Sequence, residues 1–155
     1  MTANAIHHYV TLTRSPLLLA PIIESFFQNI KPFEKNILLG YLVLPIVLYR
    51  ASRNFLQSAT SRSTLITFCK KNNHLSGLPQ RLEELRSTCS LAVQNSIDCA
   101  RLIIHPDLSL EYVGNNQYNS NQIMSAEIKA AKRLAIIFQP YEVSTVYKLL
   151  GVTNL

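Results

Sequence analysis

Residues 37–49 read ILLGYLVLPIVLY, thirteen positions without a charge. Water is a poor solvent for such a run, so either a membrane or a protein core must enclose it. A membrane-spanning helix needs about 20 apolar residues. This stretch stops at thirteen, is interrupted by Pro45, and is flanked closely by Lys35 and Arg50. A core helix is the better reading. Leu38, Leu42, Ile46 and Tyr49 recur at helical spacing, while Leu39, Val43 and Val47 make the opposite side apolar too. A helix apolar nearly all round is surrounded by other elements. One helix is therefore predicted over residues 33–53, bent at Pro45 where a backbone hydrogen bond is lost, and central to the fold.

Outward from this helix the pattern stays helical. Pro16 sits where a helix can start, and residues 17–28 read as a helix despite Pro21, closed by a turn at 29–32. Residues 1–15 have no clear period and read as an extended lead-in, with a short strand at 9–12. Beyond the apolar run, 56–63 is a Ser/Thr-rich loop or helix start, and 64–71 a short helix ended by Asn72, Asn73 and His74. Gly77-Leu78-Pro79 opens the clearest helix, 79–98, whose stripe is Leu82, Leu85, Cys89, Ala92, Val93 and Ile97. RLIIH at 101–105 and LSLEYV at 108–113, joined by Pro106-Asp107, read as a β-hairpin. An Asn-rich loop (114–121) precedes helices at 122–139 and 142–150, the last closed by Gly151 in a left-handed cap. The expected fold is mainly α with a small β-hairpin at about 101–113, in a single domain over 16–155. A helix running straight into a hairpin is the order of a winged helix, so a winged-helix-like helical domain is expected.

Composition agrees. Of 155 residues, 48% are apolar and 15% charged, which excludes general disorder. A chain of this size buries about 70% of its unfolded surface. Cys69, Cys89 and Cys99 are odd in number and lie in no metal-binding spacing, so buried reduced thiols are expected. With no secretory pattern near the start, the expected location is cytoplasmic, with no membrane contact. The net charge of +6 is uneven. Residues 1–79 hold eight Lys/Arg against Glu24 and Glu34, whereas 80–155 hold seven of each sign. The basic half is expected to face nucleic acid or an acidic protein surface.

The sequence offers little for catalysis. Its four glycines are isolated, which excludes a phosphate-cradling loop. His7-His8 has no ligand at metal spacing, and Glu83-Glu84 project about 100° apart on a helix. No cofactor, metal or enzymatic activity is expected. The binding residues expected from charge are Arg50, Arg53, Arg62, Lys70 and Lys71, which could together clamp phosphates. Lys70-Lys71 also suit a helix C-terminus by complementing its dipole. The acidic hairpin tip argues against a DNA-inserting wing.

Several stretches carry a family resemblance. They are Ser15-Pro16-Leu17-Leu18 with Phe26-Phe27, the run 41–48 with its basic end at Arg53, and the strand-turn-strand at 100–113. Two more are Ala130-Ala131-Lys132-Arg133-Leu134 and the ending 145–152. Over about residues 15–153 the chain resembles the middle component of bacterial ABC-three-component systems, the small subunit also found in Lamassu-type defence. The resemblance implies a non-catalytic adaptor in anti-phage or anti-plasmid defence. Its implied partners are an SMC/Rad50-like ABC ATPase subunit and an effector subunit such as a nuclease, with DNA reached through the complex. The competing expectation is a winged-helix DNA-binding transcriptional regulator.

Overall fold

The computed structural model describes Ala5 and residues 14–70, 72–115 and 123–153. The predicted lead-in strand at 9–12, His7-His8 and most of the Asn-rich loop lie outside the described residues. The architecture is mainly helical with one two-stranded antiparallel sheet: α1 (Pro16–Gln28), α2 (Gly40–Val47), α3 (Arg50–Ser58), α4 (Leu65–Lys70), α5 (Leu78–Asp98), β1 (Leu102–Ile104), β2 (Leu110–Tyr112), α6 (Ser125–Phe138) and α7 (Val143–Leu149). Short 3-10 turns span Asn36–Leu39 and Asn72–His74. The long helix running into a hairpin is the expected order, and that order is all the fold is shown to share with winged helices.

The apolar run is enclosed as its composition demands, but it is not one bent helix. Lys35 takes a left-handed conformation (φ 61°), a 3-10 turn follows, and α2 begins at Gly40. Pro45 lies inside α2, and the chain breaks four residues later, where Tyr49 becomes extended (φ −80°, ψ 120°) and caps α3. Two carbonyls lose their helical donors through these events. Pro45 has no N–H for Tyr41, whose carbonyl instead faces the Cys89 thiol at 3.9 Å. The Tyr49 N–H turns back to Ile46 at 3.3 Å, which leaves the Pro45 carbonyl to the Arg81 Nε at 3.0 Å.

α2 shares the centre with α1, which packs against α5 and α6 and is buried from Leu19 to Phe27 except at Pro21. Phe26 meets Phe27 and Phe138 edge-on, at centroid distances of 5.2 and 6.0 Å. The buried stretch includes a carboxyl group: Glu24 is fully buried. It accepts from the Ser96 hydroxyl (2.7 Å) and from Arg101 Nη1 (3.2 Å). A Schellman cap aims Arg101 there. The Arg101 N–H bonds back to Ser96 and the Ala100 N–H to Ile97, with Ala100 left-handed (φ 55°) where glycine is usual.

The hairpin pairs Leu102 with Tyr112, Ile103 with Glu111 and Ile104 with Leu110. Arg101 and His105 are hydrogen-bonded to Val113 and Ser109 across it. By alternation Ile103 also turns its backbone toward β2, while Leu102, Ile104 and Leu110 turn theirs outward. On the β2 side the outward groups of Leu110 are met by one buried side chain. The Asn36 amide donates to the Leu110 carbonyl (3.1 Å) and its oxygen accepts from the Leu110 N–H (2.6 Å). Backbone bonds from Lys35 to Asp107 and from Ile37 to Leu108 extend this mimic of a third strand. Replacing Asn36 with Leu keeps the branched outline of the side chain and strands two buried backbone groups. Urea unfolding is expected to show a loss of about 2–3 kcal/mol. A loss under about 0.5 kcal/mol, the level of an ordinary surface change, would contradict the assigned pairing.

Candidate interaction surfaces

The five cations expected to clamp phosphates do not occupy one kind of site. Arg50 is exposed at the start of α3, Arg62 is exposed in the turn after it, and Lys70 is exposed at the end of α4. Lys71 lies outside the described residues. Arg53 is largely covered. Its Nη1 pairs with Glu127 of α6 at 3.3 Å and reaches the Leu48 carbonyl at 3.4 Å, joining α3 to α6 and to the end of the apolar run. Arg50 begins α3, a helix of about 13 Å by its rise per residue, and Arg62 lies in the turn beyond its other end.

The cation that periodicity left aside is Arg81. Besides Pro45, it donates to the carbonyls of Ser76 and His74, and its guanidinium lies 3.9 Å from the centre of the Tyr49 ring. Burial pulls its pKa down, countered by the nearby Tyr49 and Glu84. The His74 carbonyl also accepts from Ser52 at 2.9 Å, and the His74 ring sits between Phe55 and Phe68 at 4.9 and 5.0 Å. His74, expected only to help end the helix at 64–71, is a buried aromatic neighbour.

Reactive side chains do not converge in the hairpin. His105 pairs with Glu111 at 2.8 Å on an exposed face. The Ser109 hydroxyl donates instead to Asp107 at 2.6 Å, holding that carboxyl below its usual range. Among the described residues no group of three or more His, Cys, Asp or Glu could hold a metal ion. No helix there is long and apolar enough to cross a membrane. The cysteines are free and differ in exposure: Cys89 is buried, Cys69 intermediate and Cys99 exposed. Burial pushes the Cys89 thiol up to about 12 and the Cys69 thiol upward.

Two apolar grooves open on the surface. One, of about 360 Å³, lies between the start of α2, α5 and the end of β1, and is lined by Tyr41, Cys89, Val93, Ile97 and Ile104 among others. β1 beside it is an open edge among the described residues. The outward backbone groups of Leu102 and Ile104 have no hydrogen-bond partner among the described residues, and Ile103 and Ile104 are 46% and 43% exposed. The second groove, of about 830 Å³, runs between residues 33–38 and α7. Phe33, Leu38, Val143, Tyr147 and Val152 line it together with Glu34, Lys35, Glu142 and Lys148. At its floor the Tyr147 hydroxyl donates to the Leu38 carbonyl, and burial raises the phenol's pKa.

Over nearly its whole length the chain is similar to one known family. The family model described as ABC-three component (ABC-3C) system Middle Component 3 matches residues 3–154. The chain belongs to this family. No curated protein matches it, and no solved structure does.

Two measurements check the roles assigned in this middle component. Arg53→Ala removes an ion pair that is mostly shielded, so urea unfolding should report a loss of about 1–2 kcal/mol, with Arg62→Ala within about 0.5 kcal/mol of wild type. Equal effects would return Arg53 to the surface. In mass-mapped alkylation at mildly alkaline pH, Cys99 is expected to react in the native protein and Cys89 only on unfolding. Native Cys89 reacting as fast as Cys99 would contradict the burial.

Proposed function

We propose that this middle component is a non-catalytic adaptor of an anti-phage or anti-plasmid defence complex, of Lamassu type. It links an SMC/Rad50-like ABC ATPase to an effector such as a nuclease, in the cytoplasm, with DNA reached through the complex. The observation that carries the reading is the family match over nearly the whole chain. The surface supports it: two separate apolar grooves and an open strand edge offer docking sites. The arrangement of Arg53 weighs against the winged-helix regulator. Arg53 is one of the cations that reading would place on DNA, and here it faces Glu127.

Co-expression with the ATPase and effector of its own system tests the proposal. A stoichiometric complex of all three is expected, and omission of this chain is expected to separate the other two and abolish protection in a phage plating assay. The isolated chain is expected to turn over neither ATP nor DNA. Purification of the chain alone, with binding to one specific duplex, would establish the regulator instead.

A further inference from the structure

The solvent face of α6 carries an unbalanced set of side chains. Ile128, Ala130, Ala131, Leu134, Ala135, Ile137 and Phe138 bury most of the helix. At about 100° per residue, Lys129, Lys132, Arg133 and Ile136 gather within a stripe of roughly 100°. Lys129 is exposed, Lys132 and Arg133 are partly so, and Ile136 is 55% exposed. None of the three cations has an ion pair or side-chain hydrogen bond among the described residues. The acids nearest in sequence serve elsewhere: Glu127 points to Arg53 from the covered side, and Glu142 lines the second groove. Lys31 adds a further exposed cation at the C-terminal end, where its backbone N–H donates to the Gln139 side chain.

A merely solvated face does not need this pattern. Lys129 stands three and four residues from Lys132 and Arg133, spacings at which like charges repel and weaken a helix. α5 shows the ordinary solution, with Glu83 pairing Arg86 at 3.2 Å and Gln80 bonding Glu84. On α6 the repulsion is left standing, and an isoleucine sits in its midst. A partner bearing carboxylates would relieve the first and cover the second. A phosphate backbone would relieve the charge and offer nothing to Ile136, so the stripe fits protein better than nucleic acid.

We propose that this face of α6 docks an acidic, amphipathic segment of another protein of the complex. Carboxylates of the segment pair with Lys129, Lys132 and Arg133, and one of its apolar side chains covers Ile136. The proposal rests on the adaptor reading. It is tested by measuring the affinity of the full-length chain for the purified ATPase and for the purified effector across a salt series, with a short DNA duplex as a third probe. K129E/R133E is expected to weaken binding to one of the two proteins by about 30-fold or more, mostly at low salt, and to leave the other unchanged. The neutral K129Q/R133Q is expected to lose less, and I136S about tenfold, with circular dichroism unchanged and melting no lower than wild type in all three. Wild-type affinity of every variant for both proteins would overturn the proposal while leaving the adaptor reading intact. Loss of duplex binding alone would make nucleic acid the occupant and overturn it too. A wild-type chain that binds neither protein would remove the adaptor reading and this proposal together.

Discussion

One guanidinium closes the end of the apolar core. A helix as hydrophobic as α2 cannot run on into solvent, and its break at Leu48–Tyr49 leaves the Pro45 carbonyl without a helical donor in a region where water is scarce. Arg81 supplies the donor from α5, and with its other nitrogens reaches the carbonyls of Ser76 and His74. A charged donor makes stronger bonds than a neutral one, and its planar fork can serve several carbonyls at once. Tyr49, the residue whose extended backbone makes the break, lends its ring to the flat face of the same cation. The end of α2, the 3-10 turn and the start of α5 are thereby fixed relative to one another.

The same economy recurs at the hairpin. Glu24, fully buried on α1, is made tolerable by partners that include Ser96 and Arg101, and a buried carboxylate that loses such partners is strongly destabilising. Arg101 immediately precedes β1, and Asn36 bonds β2, so the two strands are tied to the helical body independently. A hairpin of two three-residue strands with so little surface would be marginal alone. Held from both sides, it presents the open edge of β1 and the groove beside Ile104 as fixed shapes. Preformed surfaces of this kind bind with less ordering cost than flexible ones.

Elements whose evidence is periodic were legible in the sequence, and ties made across long separations were not. The α5 stripe, the hairpin around Pro106-Asp107 and the cap at Gly151 follow from local rules, and each is present within one or two residues. The apolar run was correctly read as enclosed but wrongly as continuous. A proline usually bends a helix near its own turn, whereas here the chain stays helical through Pro45 and breaks at Tyr49, where Arg81 receives it. Arg81 lies 36 residues from Pro45, and no spacing rule connects them. Arg53 misled for a related reason. Its sequence neighbours are basic and exposed, while the acid that claims it, Glu127, lies in the opposite half of the chain.

That last pairing bears on how charge should be read at all. By sequence, residues 1–79 carry the whole excess of +6 and residues 80–155 none. A surface, however, is built from faces, and the two halves interleave: α3 of the first packs on α6 of the second. Glu127 withdraws Arg53 from the basic half, and in facing inward it withdraws itself from the neutral half. What remains on the outside of α6 is three cations from a segment whose arithmetic sums to nothing. Local imbalance, set by which acids are turned inward, decides where an acidic partner is drawn.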